Sequence, residues 1–430
     1  MKRIIKSAIF ILPVFISVLR SGFSQQEIIK NTKPLALSEY LSGVLTGNLG
    51  YIAGQFNVNI AEAGLKASKV FPDPQISILY SNNEDRTLMM GQSVEAGLSY
   101  PVNLGNKRGA GIALAKSQYE LTRFMLDAYF QNLRADAALS YFACLKDQKI
   151  YMLQEDIYRQ LFALASADSA RLKAGEATAI DALQSSLEAR SQKIKVLQSL
   201  NEFQNSLITL SVLQGKKITD TPGIPSDTFP FKKRDFYLDK LIDNAIEKRA
   251  ELLVAIKNTE VNEKNLNLLK ANRAFEFNLE TAYSYNSVVK NEIAPAPAYN
   301  GLSAGISFPL KLSNINKGSL RAAESAIKQS QVYYEEAKLQ ITSEVVQAYN
   351  NYVASYGEIE HYNIGLVEDA GKILKGRIYS YQRGESGLTD VLNAQKTYIE
   401  LQLNYIEALF KYTQSLIELE RAAGMWDISG

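Results

Sequence analysis

The chain has 430 residues, of which 46% are hydrophobic and 21% charged, with a formal net charge of +2. This is the composition of an ordinary folded protein. One cysteine, Cys144, excludes an intrachain disulfide, and one histidine, His361, has no cysteine or acidic cluster at ligand spacing and reads as solvent-facing.

Residues 1–24 read as a secretory signal. Lys2, Arg3 and Lys6 precede an apolar run from Ala8 to Leu19, and Gly22-Phe23-Ser24 supplies small residues at cleavage spacing. The run is shorter than the roughly 20 residues a spanning helix needs. Its removal takes away four basic residues and no acidic ones, which moves the formal charge from +2 to 2 − 4 = −2 and argues against nucleic acid as a partner.

A first repeat is expected over 25–215. Leu37 to Ser68 is helical in pattern and stops at Phe71-Pro72-Asp73-Pro74. Strands follow at about 75–81 and 94–103, around a polar loop, with apolar and polar residues alternating from Val94 to Tyr100. Long helices are expected at about 109–172 and 177–214, reversing at Gly175 and ending at Gly215. A rod of that length, roughly 95 Å at 1.5 Å per residue, is too long for the core of a compact domain. Cys144 lies within it and reads as a packed apolar residue.

Residues 216–236 carry Pro222, Pro225 and Pro230 and read as a linker, with the run Lys232-Lys233-Arg234 solvated. The second repeat, 237–430, has strands at about 276–286 and 300–311. In the first of these Phe277, Leu279, Thr281, Tyr283 and Tyr285 alternate with polar or small residues. Its long helices are expected at about 318–381 and 387–423, reversing at Gly384 and ending at Gly424.

The two repeats align without gaps at an offset of 209 through their tips: Gly175-Glu176, Asp181 and Leu183 fall on Gly384-Glu385, Asp390 and Leu392. On the last helix Val391, Ala394, Tyr398, Leu401, Tyr405, Ala408 and Tyr412 are spaced alternately three and four apart. A second seam through Leu392, Gln395, Ile399 and Gln402 runs beside it. Two adjacent seams require two packing neighbours, as for a stave in a cylinder. Strands of about ten residues with one apolar and one polar face fit either a soluble sandwich or a transmembrane barrel, and tyrosine-rich strand ends in an exported protein favour the barrel. Four strands cannot close one in lipid, where an open edge leaves backbone groups unpaired and at least eight are needed, so it is expected to be shared between chains.

With these features the chain resembles the TolC-like outer membrane efflux proteins over nearly its whole mature length. The resemblance implies a mainly α fold with a membrane β-barrel portion. It implies a homotrimer whose twelve strands close one barrel in outer membrane lipid of a Gram-negative bacterium, and whose helices form a periplasmic tunnel. It also implies a passive exit duct of a tripartite efflux pump or type I secretion system, docking a periplasmic adaptor and an inner-membrane pump. Asp390 and Asn393 fall where relatives place carboxylate rings at the pore constriction, the second departing from the acidic pattern. A carboxylate ring in a narrow throat attracts cations; a first-turn aspartate also suits the helix dipole, and both roles can hold together. Tyr381 and Asp181 fall at a gate latch, where a hydrogen bond between them is expected. Relatives add an arginine at the place of Ser386, and Arg383 is the candidate substitute. The exposed turns with Gly175, Glu176, Gly384, Glu385 and Leu388 are the expected adaptor-docking tip.

No phosphate-binding glycine loop, nucleophile elbow or metal-ligand cluster is present in the sequence, so no enzyme, cofactor or metal is expected. The competing reading is an exported coiled-coil scaffold or adhesin stalk with a soluble sheet, which would lack detergent dependence.

Overall fold

A computed structural model describes residues 33–85, 89–217, 220, 222–310 and 317–427. The expected signal, residues 1–24, lies outside the described residues, as does residue 311; the strand expected at 300–311 stops earlier, at Ser307. In chain order the elements are β1 (Lys33–Leu35), α1 (Leu37–Gly47), α2 (Leu49–Ser68), β2 (Gln75–Asn82), β3 (Gln92–Asn103), α3 (Lys107–Lys173) and α4 (Ala179–Leu213). The second half has β4 (Gly223–Pro225), α5 (Leu238–Lys248), α6 (Ala250–Ala271), β5 (Glu276–Asn286), β6 (Tyr299–Ser307), α7 (Lys317–His361), a π-helical turn (Tyr362–Leu366), α8 (Val367–Gln382) and α9 (Leu388–Ala422).

The four longer strands form one antiparallel sheet in the order β2-β3-β5-β6, so the two halves meet at the β3–β5 ladder. Register sorts the side chains by face. Ile76 stands opposite Leu98 and Tyr80 opposite Val94; Val94 then faces Tyr285, Leu279 faces Ile306 and Tyr283 faces Leu302. The other face carries Ser77, Glu95, Gly97, Ser99, Glu280, Ser284 and Ser303. The apolar face is bare: Ile76 and Ile78 are each 77% exposed and Leu302 82%. A soluble sheet would bury such a face against a second layer.

Below the sheet, α3 runs unbroken for 67 residues. The returning helix α9 packs on two neighbours, as its two seams require. Ala408, Tyr412 and Leu419 meet Val345 and Tyr352 of α7, while Leu392 and Ile399 meet Ile157 and Leu161 of α3. Cys144 is fully buried, and His361 is exposed.

Three sequence expectations are corrected here. The helix expected from Leu37 to Ser68 breaks at Asn48, whose backbone is extended (ψ 118°); its Oδ1 accepts from the Tyr51 amide and its Nδ2 donates to the Leu213 carbonyl. The helix expected over 318–381 is interrupted at the π-helical turn, where Gly365 takes φ 108°. Lys232-Lys233-Arg234 is not merely solvated. The Arg234 guanidinium pairs with Glu420 and Asp427, each at 2.6 Å, and the Lys232 carbonyl accepts from the Tyr412 hydroxyl. Burial of Glu420 raises its carboxyl above the ordinary range, an effect only partly offset by the Asp427 amide and by Arg234.

Candidate functional site: the tips of the helical hairpins

Each hairpin reverses on a glycine with positive φ, Gly175 at +77° and Gly384 at +75°, a conformation that costs a side chain strain. No atom lies within 4 Å of where a Cβ would sit on either, so the requirement is conformational rather than spatial. Both turns close with the same bond across the helix end: Glu176 N to Arg171 O at 2.8 Å and Glu385 N to Ser380 O at 2.9 Å. Glu176 and Glu385 are exposed at the turns.

The repeats then diverge. In the first, Thr178 caps α4: its Oγ1 accepts from the Asp181 amide at 3.1 Å and donates to Asp181 Oδ2 at 2.7 Å. In the second, the equivalent cap is Gly387, which has no side chain to offer. The Asp390 carboxylate is exposed and makes no side-chain hydrogen bond or ion pair among the described residues, although its amide donates to the Gly387 carbonyl at 3.2 Å. Asn393, also exposed, follows one turn later. The aspartate of the first tip is thus held by its own helix end, while that of the second is left free.

The expected bond between Tyr381 and Asp181 is not formed. Tyr381, buried under the tip, donates from its hydroxyl to Asp168 Oδ1 at 2.8 Å. Arg171 lies 3.9 Å from the same oxygen, and its guanidinium sits 5.1 Å from the Tyr381 ring centroid. Burial, then the bond to Asp168, pushes the Tyr381 hydroxyl up to about 12, so it remains a donor at physiological pH; Asp181 adds only a weaker field. The reason is local: the Thr178 cap already engages Asp181, whereas Asp168 projects from α3 into the seam on which α8 and α9 pack.

Arg383 does not replace the missing latch arginine either. It donates to the Tyr379 hydroxyl at 2.6 Å and pairs with Glu385 at 3.0 Å, both on its own hairpin. Leu388, expected on the docking surface, is buried with Tyr381 and Val391 against Leu164, Ile378 and Leu392. It belongs to the underside of the tip, because the first turn of α9 points its apolar positions at α3 and α8. Sequence reasoning missed Asp168 and Arg171. The available signal was the seam Ile157, Leu161, Leu164, Asp168 on α3, where a carboxylate occupies an otherwise apolar row.

An open sheet with a bare apolar face, joined to helical hairpins far longer than a globular core, points to a membrane channel protein. Comparison with known proteins agrees. The sequence profile described as "Outer membrane efflux protein" matches residues 52–216 and 241–425, one segment in each half. The chain belongs to this outer membrane efflux protein family. It is 22% identical over 395 residues to the cobalt-zinc-cadmium resistance protein CzcC of Cupriavidus metallidurans, covering 91% of this chain and 90% of that one. It is likewise 22% identical over 393 residues to the outer membrane protein TolC of Vibrio cholerae, covering 87% and 86%. Among solved structures it superposes on CusC with a TM-score of 0.73 at 17% identity, covering 91% of this chain and 92% of that one. With the Campylobacter jejuni CmeC outer membrane channel the score is 0.75 at 14% identity, covering 90% and 85%. The chain is accordingly an outer membrane efflux channel protein.

Proposed function

We propose that three copies of this chain assemble into a passive outer membrane exit duct that works with a periplasmic adaptor and an inner-membrane pump. One observation carries the reading: a four-stranded sheet has an exposed apolar face and two edges, β2 and β6, that pair with no other strand among the described residues. In hydrocarbon such edges are unaffordable, and joining β6 of each copy to β2 of the next removes them. The exposed apolar residues of α4, including Ile180, Leu183, Leu187 and Ile194, supply a matching helical face for a neighbouring copy. The narrow end of the duct lies at the hairpin tips, where three copies of Asp390 form a carboxylate ring that favours cations. Asn393, one turn on, adds no charge to it. Glu176 and Glu385, with the turns at Gly175 and Gly384, form the surface that meets the adaptor.

Purified protein reconstituted in a planar bilayer tests this. Cation-preferring channels from a detergent-dependent oligomer are the expected result, and a protein that stays in aqueous buffer without conducting refutes it.

A further inference from the structure

We infer that the groove between the start of α3 and the end of α6, at the foot of the sheet, binds the phosphate of an anionic phospholipid whose acyl chains lie on the apolar face of the strands. The inference rests on the reading of that face as lipid-exposed, and adds a lipid class and the residues that select it.

The position comes from the aromatic side chains at the two ends of the sheet. Tyr80, Tyr283 and Tyr285 are exposed at the end away from the helices. At the helical end Phe71, Phe275 and Phe308 are exposed, the last two with ring centroids 5.5 Å apart. Aromatic girdles of this kind mark the two interfaces of a membrane barrel. The residues just past Phe275, on the helical side, therefore stand in the headgroup layer, which is roughly 5–8 Å deep.

In that layer α3 and α6 enclose a groove of about 550 Å³. Its polar lining is Asn106, Lys264, Asn267 and Lys270, and no acidic side chain lines it. The contrast with Lys257, two turns before Lys264 on α6, is direct: that ammonium is held by Glu120 at 2.7 Å and Glu260 at 2.8 Å. Lys264 and Lys270 form no ion pair among the described residues, so their charge is available to a ligand. Arg108 adds a third cation at the same level, its guanidinium 4.0 Å from the centroid of the Phe71 ring.

The groove opens outward. Lys107 reaches Glu276 at 3.3 Å, and Glu276, four residues before Glu280, lies on the polar face of the sheet. Lys107 thus marks the inward side of α3. At 3.6 residues per turn Gly109, which lines the groove, stands about 200° round the helix from Lys107, on the side continuous with the apolar face. A phosphodiester in the groove lies between two ammonium groups, with the side-chain amides of Asn106 and Asn267 as further donors. Gly109, Ala110 and Ala113 leave it room. The acyl chains continue along the sheet over Phe277 and Leu279. A choline headgroup brings a cation of its own to the lysines and is disfavoured, whereas a glycerol headgroup leaves the net negative charge of the lipid intact.

The test uses the full-length protein in detergent micelles, mixed with equal amounts of phosphatidylglycerol and phosphatidylcholine of the same acyl chains. Native mass spectrometry counts the lipid retained. The wild type is expected to keep phosphatidylglycerol in preference, and the double variant Lys264→Gln with Lys270→Gln to bind it roughly tenfold or more weakly. Lys195→Gln with Lys375→Gln makes the same change of charge at exposed sites on the hairpins and is expected to behave as the wild type. Equal retention of the two lipids by the wild type, a groove variant that keeps the preference, or a hairpin variant that loses it as fully overturns the inference. Release of phosphatidylglycerol by excess inorganic phosphate does so too, because it marks a site for free anions. Protein that needs no detergent and holds neither lipid overturns the barrel reading as well, whereas protein that conducts in a bilayer without discriminating between the lipids overturns this inference alone.

Discussion

Replacing Arg234 with alanine removes the strongest charge facing Glu420, whose side chain is 0% exposed. The hydrogen bond that remains is from the Asp427 amide at 2.9 Å, with the half-buried Arg134 adding a weaker positive field. Removing one member of a buried ion pair costs about 3–5 kcal/mol, and because Arg234 itself is 25% exposed, admitting some water, the lower end of that range applies. The double replacement Arg234→Met with Glu420→Leu discards both charges and is expected to lie within about 1 kcal/mol of the wild type. Urea titration of the helical circular dichroism signal in detergent measures all three proteins. The pH dependence supplies a second check. Because the folded-state carboxyl of Glu420 is raised, the stability it contributes is full below its unfolded pKa and lost as pH rises through the folded value. Glu420→Gln therefore gains on the wild type as pH rises from the unfolded value toward neutrality. An Arg234→Ala variant as stable as the wild type, or a Glu420→Gln difference that is flat with pH, would show that this contact is an ordinary surface pair.

Asp390→Asn should lower the cation preference of reconstituted channels, read as a reversal potential in a salt gradient; an unchanged potential removes Asp390 from the constriction. Gly387→Thr, at a backbone φ of −80° that threonine accepts, would give Asp390 the cap that Thr178 gives Asp181, and should reduce cation preference without removing the carboxylate. Thr178→Ala should destabilise the start of α4 by about 1 kcal/mol, seen as faster amide exchange in its first turn, with no change in selectivity. Burial pushes the Cys144 thiol up to about 12, so it should not react with a disulfide reagent at pH 8 until the protein is unfolded; prompt reaction in the folded state would contradict its packing.

Strand alternation, tip glycines and the paired seams of α9 were legible in the sequence because each is a periodic or conformational requirement carried by neighbouring residues. What escaped depends on contacts distant in the chain. The break at Asn48 has no proline to announce it and arises from a close approach to the end of α4, where a Cβ on Gly215 would lie 2.1 Å from the Gly47 carbonyl oxygen. The solvated reading of Arg234 failed because its partner, Glu420, lies 186 residues away on α9. Leu388 was placed on the surface from its proximity to the turn, but helix phase, not distance from the turn, decides which first-turn residues face inward. Asp181 was assigned to Tyr381 through the resemblance to relatives, and the local cap on Thr178 holds it elsewhere.

The claim on which the rest depends is that one chain supplies only part of a closed tube. Native mass spectrometry of the detergent-solubilised protein measures this directly. A complex of three chains that loses its solubility with the detergent is the predicted result, and a single chain stable in plain buffer would contradict it.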